Sequence, residues 1–421
     1  MVDIPVDILQ EFIAYLHTEK NDTNRRKHLL SCCLVSHYWK SIAQPILFSR
    51  VILRTKSSER TELFAEAITQ FPHLQRLVVA LWLEGPFHEC PKLKQIAEAL
   101  QTLQQIRIHI GDIPRPIALI PVLPGLLRSE RLTSLSILDV PIPVRLLNQC
   151  ISLRELELRE ATLTGVDEAL NSPAIIRTNR PRLKLLSFFA RKIAETRILK
   201  WLMSTPHCLL DVSQVEIVLL SDRSGTVEGH QIYCDFLRYI APSVRILFLD
   251  PPLEYSDIPP SLHMPPFPGM TDIRVVSLGM RENYYSACNP LPWMVDFLGN
   301  IPCPHLIEEV YIHGALESEL SKEEPDSLQQ GWPESWASLD TSLTSSRFGH
   351  VKKIHMYLYD EFPSQEKREA LANLLTRKLP TIASQNRLAF TFIYPEDDSV
   401  LPEESHWACI QSGPWRYGVS Y

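Results

Sequence analysis

The chain has 421 residues, 45% hydrophobic and 22% charged, enough apolar material for a large buried core. Its net charge of −7 argues against a general nucleic-acid binder, which needs a basic field for phosphate contacts. Nine cysteines carry no CxxC spacing, and Cys32–Cys33, His207–Cys208 and Cys303–His305 do not supply the ligand pairs of a zinc site; reduced thiols acting as small hydrophobes are expected.

The chain begins MVDIPVDILQEF, with Asp3 and Asp7 where a secretory signal would carry bases, and no apolar run is long enough to span a bilayer. A soluble cytoplasmic or nuclear protein without a membrane partner is expected. Pro5 suits the first turn of a helix, where its missing N–H would have no partner. Ile8, Leu9, Phe12, Ile13 and Leu16 then share one helical stripe. A polar link, Thr18 to Lys27, follows. The next run carries Leu29, Leu30, Cys33 and Leu34, then Trp39, Ile42 and Ala43; Ser36 is placed to cap a short new helix and Pro45 to end it. Residues 1–50 thus read as three short amphipathic helices, too small to be stable without docking on something.

Ile4-Pro5-x-Asp7-Ile8-Leu9, followed by Leu34-Val35-Ser36-x-x-Trp39-x-x-Ile42-Ala43-x-Pro45-x-Leu47-Phe48, resembles the F-box motif, in the variant found in many fungal F-box-like proteins. Ile4 stands where the family usually has Leu, and the link between helices is somewhat long. The resemblance implies docking to the Skp-family adaptor of a cullin-type (SCF) ubiquitin ligase. The matching interface positions are Ile4, Pro5, Ile8, Leu9, Leu34 and Val35, with Trp39 locking the helices together.

The remaining chain shows apolar residues at i, i+3 and i+5 again and again. The series runs Phe48-Val51-Leu53, Leu74-Leu77-Val79, Leu103-Ile106-Ile108, Leu132-Leu135-Ile137, Leu153-Leu156-Leu158 and Leu183-Leu186-Phe188. It continues through Val212-Val215-Ile217, Val244-Leu247-Leu249, Ile273-Val276-Leu278, Ile307-Val310-Ile312 and Val351-Ile354-Met356 to a last strand near Phe390 and Phe392. Successive starts lie mostly 21 to 34 residues apart, stretching to 44 after Ile312. This spacing suits a short strand entered through a tight bend, its alternate residues turned into a core. Amphipathic runs lie between several strands, at Glu62–Phe71, Leu93–Leu103, Arg197–Met203, Tyr233–Ile240, Trp293–Leu298 and Glu366–Leu379.

Alternating strand and helix argue for an α/β fold with parallel strands joined by helical crossovers. The pattern resembles leucine-rich repeats of the irregular kind that commonly follow an F-box. The resemblance implies an F-box-like segment over 1–50, then an irregular leucine-rich-repeat solenoid over 51–394 with a parallel sheet and a helical convex face, then a tail over 395–421. The family's Asn or Cys ladder residue is mostly missing, with Trp82, Gly111, Val140 and Ala161 in its place. Loops are expected at 250–269, which is dense in proline, and at 318–346, which is acidic and Ser-rich with Trp332 and Trp336.

No nucleophile elbow, P-loop, dinucleotide turn or HExxH occurs, so no enzyme activity, cofactor or metal is expected. His109, His313 and His355 fall at outward repeat positions, not in one cluster. Residues at i+2, i+4 and i+6 of each triplet should line the exposed sheet, and they mix charge with Tyr and Phe as a protein-binding face does. Candidate client-binding residues are Arg107, Glu155, Glu157 and Arg159 toward one end, and Tyr311, His313, His355 and Tyr357 toward the other. Two functions follow: an F-box receptor that carries a client protein to a ligase, or a scaffold whose N-terminal helices only cap the repeats.

Overall fold

The computed structural model of the chain describes residues 22–54, 58–85, 91–109, 122–171, 180–190, 193–222, 226–250, 267–279, 290–315, 333–359 and 365–393. The chain divides into two compact units: residues 1–183 with 204–211, and residues 184–203 with 212–421.

Among the described residues, the first unit begins with helices Asp22–Val35 and His37–Ser49. Ser36 between them is extended (φ −163°, ψ 167°), and its hydroxyl accepts from the Trp39 N–H at 3.3 Å. The cap is the expected one, because the first N–H groups of a helix have no intrahelical partner. Two boundaries differ from expectation. Asp22–Lys27, read as part of a polar link, already belongs to the first helix. Pro45 lies inside the second helix instead of ending it. The helix runs on because Ile46 and Leu47, beyond the proline, pack with Trp39 and Cys33 against Leu29, Cys32 and Ala43, and that burial outweighs the lost backbone bond.

The strands of this unit are β1 (Arg50–Arg54), β2 (Ala80–Glu84), β3 (Gln105–His109), β4 (Ser134–Leu138), β5 (Ile142–Pro143), β6 (Glu155–Arg159) and β7 (Leu163–Thr164). β1, β2, β3, β4 and β6 pair in parallel in that order, and β5 pairs with β7 alone. Helices Ser58–Gln70, Pro91–Ala99, Leu123–Leu127 and Val144–Leu147 supply the crossovers that parallel strands require. Inward residues Leu53, Leu81, Leu83, Ile106, Ile108, Leu135, Ile137, Leu156 and Leu158 are at most 3% exposed. Each such side chain contributes roughly 1.5–3 kcal/mol of burial. Gly85, Asp139 and Glu160, directly after β2, β4 and β6, are left-handed (φ 94°, 54° and 51°). The Gly85 and Asp139 N–H groups each donate to the last carbonyl of the next strand, His109 and Arg159, so the bend is tied to the neighbouring repeat.

Residues 204–211 also belong to this unit. The Asn148 side chain donates to the His207 carbonyl and accepts from the Leu209 N–H, while Arg180 donates to the carbonyls of Cys208 and Leu210. Burial pushes the Cys150 and Cys208 thiols up to about 12, which keeps them protonated and fits the expected core cysteines.

The second unit contains β8 (Leu185–Ala190), β9 (Ile217–Asp222), β10 (Ile246–Asp250), β11 (Val275–Gly279), β12 (Glu309–Ala315), β13 (Lys353–Tyr359) and β14 (Leu388–Ile393), all parallel and in chain order. Helix Val227–Ile240 shows how its crossovers form. Thr226 caps it by accepting from the Gly229 N–H, and Ile232, Tyr233, Phe236, Leu237 and Ile240 form the buried stripe. At the strand entries, Lys184, Glu216, Arg245, Asp272, Arg274, Glu308 and Lys352 form an alternating series of ion pairs with separations from 3.0 to 3.9 Å.

Two triplets are out of register in the sequence reading. The triplet whose last two residues are inward on β2 is Val78-Leu81-Leu83, not Leu74-Leu77-Val79, and the one for β9 is Val215-Val218-Leu220, not Val212-Val215-Ile217, although Leu74 and Val212 are buried as well. Either choice satisfies the i, i+3, i+5 pattern. The chain settles on the one whose last two residues are alternate strand positions beside buried neighbours. The second correction concerns the expected loop over 318–346. Its part Pro333–Thr344 is a helix that buries Trp336, Leu339 and Leu343. The Asp340 carboxylate, also buried, accepts from the Thr381 and Ile382 N–H groups at 3.0 Å each, capping the short helix Pro380–Ser384.

Candidate interaction surfaces

The two N-terminal helices have a buried side and an apolar exposed side. Leu29, Cys32 and Ala43 form the interior, and Trp39 packs against them as expected. Leu34 is 88% exposed and Val35 67% exposed, beside exposed Leu30 and Tyr38. Ile4, Pro5, Ile8 and Leu9, the other expected adaptor contacts, lie outside the described residues.

On the sheet of the first unit, alternation turns Arg50, Ile52 and Arg54 of β1, Trp82 and Glu84 of β2, and Gln105, Arg107 and His109 of β3 away from the core. Register places Trp82 beside Arg107, Arg107 beside Ser136 and Ser136 beside Glu157. The guanidinium of Arg50 lies 4.7 Å from the centre of the Trp82 ring, and that of Arg107 lies 5.1 Å away. Arg54 bonds Glu84 at 2.6 Å, and His109 lies 3.5 Å from Asp139. Of the expected contacts here, Arg107 and Glu155 keep accessible surface, whereas Glu157 (7% exposed) and Arg159 (8%) are buried. Glu157 accepts a short hydrogen bond from the Ser136 hydroxyl. A carboxylate engaged in this way by its strand neighbour is a member of the sheet surface and not a free contact.

On the sheet of the second unit, Tyr311 aligns with His355 and His313 with Tyr357, the adjacency expected from the repeat spacing. The Tyr311 and His355 rings stack at 4.6 Å and 9°, and Tyr357 leans on both. The expectation that all four are exposed does not hold: Tyr311 is 5% exposed and His313 4%, while His355 and Tyr357 are half-buried. Adjacent strands stand about 4.8 Å apart, close to ring-stacking distance, so large rings in one row cover each other. The Tyr311 hydroxyl donates to Glu309 at 2.5 Å. Burial pushes the His355 imidazole below the usual histidine range; Glu309 pulls it partly back and Lys353 adds to the depression.

His313 also joins a buried polar row. Its Nδ1 pairs with the Ser277 hydroxyl at 2.9 Å, and its Nε2 lies 3.4 Å from Asp250 Oδ1. Asp250 reaches across β11 because Gly279 has no side chain there; a Cβ at Gly279 would stand 2.1 Å from Asp250 Oδ1. Ser277 is 1% exposed. Sequence reasoning missed this row, as it missed the Arg50–Trp82–Arg107 stack.

Among the described residues, no group of three or more metal-ligating side chains occurs, and no helix is long and apolar enough to cross a membrane. No family model matches the chain, and no curated protein matches it. Among solved structures, the chain is similar to a plant peptide hormone receptor, RGFR1, in complex with RGF2, at 14% identity and a TM-score of 0.23. That match covers 76% of this chain and 48% of the receptor chain, so this chain spans about half of it. A superposition this loose carries no statement about function.

Proposed function

We propose that this chain is a non-catalytic receptor: its N-terminal helices hold the Skp-family adaptor of a cullin-type ubiquitin ligase, and its repeats hold a client protein. The observation that carries the reading is the outward apolar side of the helix pair, Leu30, Leu34, Val35 and Tyr38, next to a separate, filled interior. A segment that only capped the repeats would bury its apolar side against them. Large exposed apolar side chains clustered on one short helix pair are what a partner surface requires. Arg107, Glu155, His355 and Tyr357 are the expected client contacts that retain accessible surface. The burial of Ser277 supports reading its row with His313 and Asp250 as a structural network and not as a nucleophile site.

Calorimetric titration of the full chain with a purified Skp-family adaptor tests the reading. Leu34→Asp with Val35→Asp should weaken binding at least roughly tenfold, because a charge would enter an apolar contact. The melting temperature should not move, because both side chains are exposed. Absent binding by the wild type, or unchanged binding by the double variant, would overturn the adaptor role. A double variant that unfolds would favour helices that cap the repeats.

A further inference from the structure

We propose that β14 is a self-association edge: two copies of the chain pair β14 with β14 in antiparallel and join their sheets. The inference goes beyond the receptor reading and does not depend on it. β14 ends the parallel series, and among the described residues no strand pairs with its outer side. Register turns Leu388, Phe390 and Phe392 to the core side, beside Ile354, Met356 and Leu358 of β13. Those three β13 residues are at most 1% exposed, whereas Leu388, Phe390 and Phe392 are only half-buried. The core therefore ends at this strand with apolar surface still uncovered. Leu388-Ala389-Phe390-Thr391-Phe392-Ile393 also holds no charge and no proline, the residues that blunt an exposed edge.

A second copy is the occupant because this edge is complementary to itself. The Ile354 N–H donates to the Arg387 carbonyl at 2.8 Å. Parallel pairing then commits the main-chain groups of Arg387, Ala389 and Thr391 to β13, and those of Leu388, Phe390 and Phe392 point outward. About a two-fold axis at Phe390, Leu388 faces Phe392 of the second copy and Phe390 faces its own equivalent. The residues with outward main-chain groups are thus the ones that meet, as hydrogen-bonded antiparallel pairs require. The same alignment keeps core-side residues on one side of the joined sheet, and a one-residue slip would fail on both counts. Phe390 against Phe390, and Leu388 against Phe392, cover the apolar surface that each copy leaves open. Ala389 and Thr391 face each other on the opposite side of the sheet, so no like charges meet. The contact uses the same edge in both copies and closes at a dimer.

The test is sedimentation equilibrium of the full chain over a range of concentrations, and a reversible monomer–dimer equilibrium is expected. Ala389→Asp with Thr391→Asp sets carboxylates opposite each other across the seam and should weaken dimerisation at least roughly tenfold. Ala389→Lys with Thr391→Asp sets an ammonium opposite each carboxylate and should restore most of it. Leu34→Asp with Val35→Asp should change nothing, which separates this edge from the helix pair. Hydrogen–deuterium exchange of the wild type at high and low concentration needs no variant. It should show concentration-dependent protection in peptides covering residues 387–393. A wild type that stays monomeric throughout overturns the proposal, as does a dimer without that protection. A dimer indifferent to the aspartate pair, or lost equally with the lysine–aspartate pair, overturns it too, and so does one lost with Leu34→Asp and Val35→Asp.

Discussion

Gly279 has a specific task at the scale of single residues. Its missing side chain is the space through which the Asp250 carboxylate reaches His313, and His313 in turn holds Ser277. Gly279→Ala should displace that carboxylate and leave buried polar groups unsatisfied, costing about 1–3 kcal/mol in denaturant unfolding. An unchanged midpoint would mean the row contributes nothing. His355 carries a pH signature. Its folded-state pKa lies below the ordinary value of 6.5, so above that value it is neutral in both the folded and unfolded chain. As pH falls through about 6.5, the unfolded chain takes up a proton that the folded one resists, and stability is lost. Between about pH 7.5 and about pH 5.5 the wild type should lose more stability than His355→Gln; equal losses would contradict the assignment. Trp82 was within reach of the sequence, since Val78, Leu81 and Leu83 form as good a triplet as the one chosen. What hid it was a four-residue slip of register, which moved Trp82 from the open sheet face to a supposed ladder position.

At the scale of elements, the repeats were legible because their signal is hydrophobic spacing, which survives irregular loops. Nine of the eleven triplets fall in the register the strands adopt, and helices lie where the amphipathic runs predict them. Helix Pro333–Thr344 was not read, because the acidic and Ser-rich stretch around it averages to a polar loop. Its signal was local: Trp336, Leu339 and Leu343 at helical spacing, with Asp340 between them. Asp340→Ala should cost about 1–3 kcal/mol, since two N–H groups of helix Pro380–Ser384 would lose their acceptor in a buried place. A thermal melt unchanged by that substitution would show that the short helix needs no cap. The ion-pair series at the strand entries was invisible beforehand, because its members lie up to 44 residues apart and meet only once the strands are in register. Each exposed pair is worth little by itself, about 0–1 kcal/mol. Register sets Arg245 beside Arg274, and the Asp272 carboxylate between their guanidiniums removes the like-charge contact.

At the scale of the whole molecule, the proposed receptor divides its labour between an apolar helix pair and the charged or aromatic sheet surfaces of its two units. The sequence showed the first through one motif half, Ser36 to Phe48, whose cap and packed Trp39 the structure contains. It showed the second only in outline, because which outward side chains are accessible depends on neighbours in other repeats. Tyr311, His313, Glu157 and Arg159 are covered for that reason. The most direct test of the division is hydrogen–deuterium exchange of the full chain with and without the Skp-family adaptor. Protection is expected in peptides covering residues 28–40, with exchange in β3, β6, β12 and β13 unchanged. Protection of those strands with none at 28–40 would contradict the account.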